Sequence, residues 1–132
     1  KTDRVLVVGD DPVGVHLART LPADVTFVGP DAQTVERVGS GVEASVVADA
    51  ERFDLPDGDV ETVIVATQKD SLNLLYAQRL RLRDDVSTVI ALVSDPQYHD
   101  VFDSLGIDTV CKTTVVSDSL SETYSRSMRQ NG

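Results

Sequence analysis

The sequence predicts an α/β domain in which a doubly wound, six-stranded parallel sheet carries helices on both faces. Six short runs rich in Val and Ile recur along the 132 residues, and each is nearly continuous in hydrophobicity, as in strands that are covered on both sides. Segments with helical spacing lie between most of these runs. Strands and helices that alternate at this length favour right-handed crossovers, and we expect the strand order 3-2-1-4-5-6.

The strand predictions follow the apolar runs. The predicted strands are Arg4–Gly9, Val25–Gly29, Ala44–Ala48, Thr62–Thr67, Thr88–Val93 and Ile107–Cys111. Between the third and fourth strands the connection is short and contains Pro56 and Gly58, so we expect at most one helical turn there. Because no linker, repeat or low-complexity segment interrupts the pattern, residues 1–132 are predicted to form a single domain.

Apolar spacing predicts the buried faces of the first helices. The first helix is predicted from Val13, Leu17 and Leu21, which are apolar and spaced four residues apart. Leu72, Leu75, Tyr76 and Leu80 line one side of a longer helix, while Leu74 and Leu82 on its other side suggest burial against a partner. Capping by Asp95 and Pro96 and a stop at Gly106 delimit a helix whose buried face is Tyr98, Val101, Phe102 and Leu105.

A final helix is predicted at about 117–130. Ser119 and Glu122 have the spacing of a capping box. An apolar stripe follows four-residue steps through Val116, Leu120, Tyr124 and Met128. This stripe either covers the edge of the sheet or reaches a partner subunit, and its length does not decide between the two.

The charge balance is strongly acidic, with 22 acidic and 12 basic residues and a formal net charge of −10. Such a surface repels nucleic acid and anionic lipid headgroups. Because the acids are spread along the whole chain, adaptation to a salty cytoplasm explains them, although a cation-binding or acidic interaction surface is the alternative. The apolar runs are too short to cross a bilayer, the opening KTDRVLVV carries no leader pattern, and the single Cys111 suits a reducing compartment. We therefore expect a cytoplasmic halophilic domain.

The first strand leads into a defective version of a dinucleotide-binding turn. Gly9 and Gly14 fill the first and third places of G-x-G-x-x-G, but Asp11 holds the second. A carboxylate 4 Å from a phosphate costs about 4 kcal/mol at an effective dielectric of 20. An exposed helix N-terminus offers an anion only about 0.3–1 kcal/mol. Asp10 and Asp11 can instead satisfy the helix amides themselves.

The second strand ends without the acid that grips a ribose in this kind of site. Gly29 stands at the expected place, and Asp31 lies two residues further on. Asp31 either reaches a ribose from the loop or caps the helix DAQTVERV. No Lys or Arg directly follows Gly29, so a 2′-phosphate would also lack a partner.

Four motifs in order resemble one known family. They are GDDPVG, VVADA, VIVATQKDSLNLL with an A-T-x-x-D-x-x-N pattern at 66–73, and VIALVSDPQYHDVFDSLGIDTV. Together they resemble the N-terminal lobe of the RCK family, also called the TrkA N-terminal or KTN domain, from Arg4 to about Tyr124. The resemblance implies a Rossmann-like regulatory domain of potassium channels and transporters. It also implies a cytosolic location, at the inner face of the membrane through a partner or a membrane segment, and assembly into homodimers or rings.

In that family NAD(H), ATP, ADP or AMP binds at the strand ends and gates the ion path. Carried over to this sequence, the resemblance gives as ligand-binding residues Gly9, Asp10, Asp11, Pro12, Val13, Gly14, Gly29, Asp31, Asp49, Ala50, Thr67, Gln68 and Asn73. Three departures are expected to weaken NAD(H) or adenine-nucleotide binding: Asp11 in the turn, Gly29 at the ribose position, and Leu92 where the family often has arginine.

Other chemistries find less support in the sequence. Cys111, His16 and His99 lack the spacing of a metal site or a Cys–His nucleophile, and neither G-x-S-x-G nor H-E-x-x-H occurs. A divalent cation held by Asp10, Asp11 and Asp31 is conceivable, but we predict no metal site. We expect a regulatory module and not an enzyme. The alternatives are a small NAD-dependent oxidoreductase fragment and a vestigial lobe that serves only assembly.

Overall fold

The computed structural model describes residues 4–47, 60–83 and 85–131. Strands and helices alternate along most of the chain. In order they are β1 (Arg4–Val8), α1 (Pro12–Thr20), β2 (Asp24–Gly29), α2 (Ala32–Val38), β3 (Glu43–Val46), β4 (Thr62–Val65), α3 (Asp70–Arg81), β5 (Thr88–Val93), α4 (Pro96–Ser104), β6 (Asp108–Cys111) and α5 (Lys112–Asn131).

All six strands pair in parallel in the order β3-β2-β1-β4-β5-β6, which confirms the predicted sheet. At the centre, Val7 is in register with Phe27 of β2 on one side and with Ile64 of β4 on the other. The strand Thr88–Val93 was predicted to the residue, and where the ends of the other strands differ from the prediction they do so by one or two residues. The predicted turn between the third and fourth strands falls within residues 48–59, outside the described residues.

Each face of the sheet is covered by its own apolar cluster. Leu6 packs with Phe102 and Leu80 on the face that α3 and α4 cover. Val7, the next residue of β1, packs with Phe27 and Val15 on the opposite face. Successive side chains of a strand point to opposite faces, so a strand buried on both sides must be apolar at every position. This explains the continuous apolar runs.

Four of the predicted helix contacts were wrong, and in α1 and α3 small residues take part of the buried face. In α1 the buried residues are Gly14, Val15 and Ala18, while Val13 is 48% exposed. In α3 the side chains of Asn73 and Ala77 face the sheet with Tyr76 and Leu80. Leu75 is exposed there, and Leu74 packs against the core. In α4 Val101 is exposed. Close approach of a helix to a sheet selects small side chains, which apolar spacing overlooks.

The last helix begins earlier than predicted. It starts at Lys112, directly after β6, so Ser119 lies in its interior and the predicted capping box is wrong. The Ser119 carbonyl accepts a hydrogen bond from the Thr123 hydroxyl at 2.9 Å. No residue of α5 is buried against the other described parts of the chain. Across the described residues, no helix has the length and apolar character that spanning a bilayer requires.

Candidate functional site

A crevice opens at the carboxyl ends of β1, β2 and β4. The sheet order reverses between β1 and β4, and this switch point is where open α/β sheets bind ligands. The cavity measures about 60 Å³. Its lining residues are Val8, Gly9, Asp10, Val28, Gly29, Pro30, Val47, Thr67, Leu72 and Tyr76. The structure thus brings together four of the predicted ligand-binding residues, Gly9, Asp10, Gly29 and Thr67. Asp49 and Ala50 lie outside the described residues.

Two glycines of the turn are required by close packing. Gly9 has φ +136°, and a Cβ there would lie 2.1 Å from the Ala66 carbonyl oxygen. A Cβ on Gly14 would lie 2.8 Å from the Ala66 Cβ. The first glycine therefore permits the turn, and the other lets α1 approach β4 closely.

Most backbone N–H groups of the turn donate hydrogen bonds to acceptors within the protein. The Gly9 N–H donates to the Val28 carbonyl at 2.9 Å, and the Asp11 N–H donates to the Ala66 carbonyl at 3.0 Å. The Val13 N–H donates to Asp11 Oδ1 at 2.9 Å. Pro12 has no N–H to offer. A phosphate at this turn would therefore meet few free donors.

Asp11 is the N-cap of α1 and its side chain is almost completely buried, at 1% exposure. Its second oxygen, Oδ2, lies 2.6 Å from the Lys112 ammonium, whose side chain is 34% exposed. The expected capping of the helix amides is confirmed. The carboxylate is also ion-paired, which the sequence did not indicate because Lys112 lies 101 residues away along the chain.

Asp10 ties the turn to the loop after β4. The Gln68 N–H donates to Asp10 Oδ1 at 3.0 Å, and the Gln68 side-chain amide donates to the Asp10 carbonyl at 3.3 Å. The two aspartates thus hold the turn from two sides, one through Gln68 and one through Lys112.

Asn73 is buried and joins the segment after β4 to the end of β5. Its Oδ1 accepts from the Thr67 N–H at 2.8 Å and from the Thr67 hydroxyl at 2.6 Å. Its Nδ2 donates to the Thr67 carbonyl at 3.1 Å and to the Leu92 carbonyl at 2.8 Å. These four bonds use the full capacity of the side-chain amide. Asn73 does not line the crevice.

Asp31 is the N-cap of α2 and also lies outside the crevice lining. Its Oδ1 accepts from the Thr34 N–H and from the Thr34 hydroxyl, each at 2.8 Å. The backbone hydrogen bond from Thr34, followed by the hydroxyl bond, lowers the pKa of the Asp31 carboxyl. The helix-cap role is confirmed, while a ribose contact stays a prediction.

Packing explains the glycine at the ribose position. A Cβ on Gly29 would lie 3.1 Å from the Phe27 ring and 3.3 Å from the methyl groups of Thr34 and Val35. At the other departure from the family pattern, the Leu92 side chain is buried. Neither position offers a charged group to a ligand.

A second carboxylate tie links the ends of β4 and β5. Asp70 Oδ1 accepts from the Ser94 N–H at 2.8 Å, and Oδ2 accepts from the Asp95 N–H at 2.9 Å. With Asn73, this tie accounts for both polar residues of the D-x-x-N pattern. Both residues hold backbone segments at the carboxyl ends of β4 and β5.

The aspartates considered for a cation serve separate ends of the site. Asp11 caps α1 and Asp31 caps α2. Within residues 4–47, 60–83 and 85–131, no group of three or more His, Cys, Asp or Glu side chains could hold a metal ion.

Comparison with known proteins identifies the family. The family model of the TrkA-N domain matches residues 5–113. The chain belongs to the TrkA-N domain family. This confirms the resemblance to the RCK N-terminal lobe. The match includes the turn after β1 and the D-x-x-N residues Asp70 and Asn73.

Solved structures support the fold of this TrkA-N domain. The NAD(P)-binding domain of an exopolyphosphatase-related protein from Archaeoglobus fulgidus is similar with a TM-score of 0.73 and 24% identity. That match covers 96% of this chain and 99% of the Archaeoglobus domain. An NAD-binding protein from Listeria innocua gives a TM-score of 0.52 and 17% identity over 85% of this chain. This chain spans 35% of the Listeria protein.

Proposed function

We propose that this TrkA-N domain is a regulatory module that senses a nucleotide at the crevice and passes the signal to a partner through α5. The observation that carries the proposal is the contact between the two regions. Lys112, the first residue of α5, holds Asp11 of the turn at 2.6 Å. A change at the turn therefore acts directly on α5, the helix that exposes the apolar side chains of Leu120, Tyr124 and Met128.

The ligand we propose is NAD(H) or an adenine nucleotide. Support comes from the crevice at the switch point and from the nucleotide-binding relatives. The cavity of about 60 Å³ is smaller than the roughly 300–1,000 Å³ typical of ligand pockets, so a nucleotide would have to widen it. Calorimetric titration with NAD, NADH, ATP, ADP and AMP in concentrated KCl tests this. Micromolar binding of one of them is expected, and no heat from any of the five would reject the sensor.

We propose a second copy of the chain as the partner of α5. The exposed stripe comprises Val116, Leu120, Tyr124 and Met128. Leu120, at its centre, is 65% exposed. An apolar stripe on one side of a 20-residue helix suits antiparallel or crossed packing against an identical helix. Light scattering coupled to gel filtration should show a dimer that Leu120→Glu dissociates and that Ser121→Glu, on a neighbouring side of the helix, preserves.

The effector we propose is a potassium channel or transporter, as the family implies. The domain would act by favouring one of two dimer arrangements, which requires that the ligand bind them with unequal affinity. Potassium uptake in cells that lack the domain, complemented with the wild type or with Leu120→Glu, tests this assignment. Rescue by the wild type alone supports it, and equal uptake in all three strains would reject it.

A second candidate effector is a polyphosphate-cleaving hydrolase. The observation that favours it is the end-to-end match with the domain of the Archaeoglobus exopolyphosphatase-related protein. Cellular polyphosphate measured in the same strains separates the two candidates. A change in polyphosphate with unchanged potassium uptake would select the hydrolase.

We propose that the module has no chemistry of its own and works in a salty cytoplasm. The one carboxylate among the described residues that line the crevice, Asp10, already accepts the Gln68 N–H. Hydride transfer from NADH to candidate substrates would support the oxidoreductase alternative instead. A net charge of −10 is expected to make the domain more stable in 2 M KCl than in 0.1 M KCl.

A further inference from the structure

We propose that Asp11 and Lys112 close the phosphate end of the crevice, so that the site selects the nucleoside part of its ligand over the polyphosphate part. The inference rests on the proposed nucleotide-sensing function and names the ligand class of that site. It assigns Asp11 and Lys112 as the residues that determine this specificity.

The ion pair stands where a ligand phosphate would otherwise find its partners. In a G-x-G-x-x-G turn the second glycine lets the pyrophosphate approach the backbone at the N-terminus of the helix. Here Asp11 holds that position, its Oδ1 accepts the Val13 N–H at 2.9 Å, and its Oδ2 takes the Lys112 ammonium at 2.6 Å. The carboxylate thus acts as an internal anion for both the helix terminus and the lysine.

A phosphate that draws the Lys112 ammonium away would leave Asp11 without its cation. The Asp11 side chain is 1% exposed, so water cannot replace the ammonium as its partner. Removing one partner of a buried ion pair corresponds to a penalty of about 150- to 5,000-fold in an equilibrium constant. Because Lys112 is itself partly exposed, the lower end of that range is appropriate. Even the lower end of that penalty is larger than the gain in affinity that a single exposed contact to a phosphate provides.

The other end of the crevice suits an uncharged, largely apolar group. Val28, Val47, Leu72 and Tyr76 contribute to its wall, and Thr67 contributes at the end of β4. A base packs against such a wall by apolar contact and needs no counter-charge. The crevice therefore offers binding energy to a nucleoside and little to its phosphates.

Calorimetric titration of adenosine, AMP and ADP tests the proposal. For the wild type, the Kd for ADP should lie within about threefold of that for adenosine. In Asp11→Gly the turn regains its glycine and the ammonium is released, so ADP should bind at least tenfold more tightly while adenosine changes by less than twofold. Asp11→Ser, which keeps an N-cap hydroxyl, should shift the same way and guards against loss of folding.

A matched pair of double variants isolates the role of Lys112. Asp11→Gly combined with Lys112→Met should lose the gain for ADP, because the freed ammonium supplies it. Asp11→Gly combined with Lys69→Met should keep the gain, since Lys69 is an exposed lysine of similar charge at the start of α3. Circular dichroism confirms that each variant is folded.

The outcomes separate this inference from the proposed function. A wild type that binds ADP tenfold more tightly than adenosine, with no change in Asp11→Gly, overturns the inference and leaves the sensor standing. A wild type that binds none of the three ligands, while Asp11→Gly binds ADP, rejects sensing by the natural chain and also overturns the selection of a nucleoside. If neither the wild type nor any folded variant binds adenosine, AMP or ADP, both the inference and the proposed sensor function are overturned.

Discussion

Replacement of Asn73 by alanine should destabilise the domain severely while changing nucleotide affinity little. Asn73 was a candidate ligand residue because it occurs in the A-T-x-x-D-x-x-N pattern. In the structure its amide makes four hydrogen bonds, to three atoms of Thr67 and to the Leu92 carbonyl. We therefore expect a structural role, in which Asn73 fixes the loop after β4 against the end of β5.

The magnitude follows from the groups that lose their partner. In Asn73→Ala three buried backbone groups lose the side-chain amide, namely the N–H and the carbonyl of Thr67 and the carbonyl of Leu92, at about 1–3 kcal/mol each. The Thr67 hydroxyl has a second acceptor within reach, because its oxygen lies 3.1 Å from the Lys69 carbonyl oxygen and its one proton can turn to it. The expected loss in the free energy of unfolding is therefore at least about 3 kcal/mol, since each of the three groups loses about 1 kcal/mol or more. This is a large share of the roughly 5–15 kcal/mol of a typical domain.

Urea unfolding followed by circular dichroism measures this loss. Gln78→Ala is the matched control, since it removes an amide from an exposed position of the same helix and should change stability by less than about 0.5 kcal/mol. Nucleotide titration of the folded fraction completes the test. If Asn73→Ala lost under 1 kcal/mol while nucleotide affinity fell tenfold, the side chain would be a ligand contact and this reasoning would be refuted.

Three further predictions concern the turn and its caps. Gly14→Ala should lower the free energy of unfolding by about 1–3 kcal/mol in urea titrations, because its Cβ meets that of Ala66 at 2.8 Å; an unchanged midpoint would show that α1 shifts freely. For Asp31, hydrogen bonds from Thr34 hold the pKa below its ordinary value of 3.8, so the charged form stabilises the fold above that pH and the benefit is lost as pH falls through the lowered pKa. The stability difference between wild type and Asp31→Asn should accordingly be constant from pH 7 to pH 5 and shrink below pH 3.8, and a constant difference down to pH 2 would contradict this. In a double-mutant cycle of Asp11→Asn and Lys112→Met, the coupling in urea should exceed about 1 kcal/mol, whereas additive losses would mean that the ion pair contributes nothing.

The sheet could be predicted because burial on both faces leaves a continuous apolar run in the sequence of each central strand. Every residue of β1 after Arg4 is buried, and a strand that alternates between two covered faces has to be apolar throughout. The strand Thr88–Val93 was predicted to the residue for this reason. Gly9 and Gly14 could also be recognised from the sequence, because the positive φ at Gly9 and the close helix approach at Gly14 both require glycine.

The helix faces were harder to predict because a small residue can be more buried than a large one. Ala77 and Asn73 face the sheet in α3, while Leu75 is 36% exposed. Apolar spacing weights side chains by hydrophobicity, but the distance between helix and sheet is set by volume. The start of α5 was missed for another reason. The chain passes from β6 into the helix without a loop, so no turn or cap residue marks the boundary at Lys112.

Asp11 shows why a local motif is insufficient for predicting a ligand. From the sequence, an unpaired carboxylate at the turn predicts repulsion of about 4 kcal/mol toward a phosphate at 4 Å. The fold brings Lys112 to 2.6 Å from that carboxylate, across 101 residues, so the charge of Asp11 is compensated and its repulsion of a phosphate is no longer the main obstacle. What remains is competition: the amide of Val13 and the ammonium of Lys112 already have an anion. The contact on which the proposed binding preference depends arises from the parallel sheet, because all its strands end at the same edge and α5 begins there directly after β6.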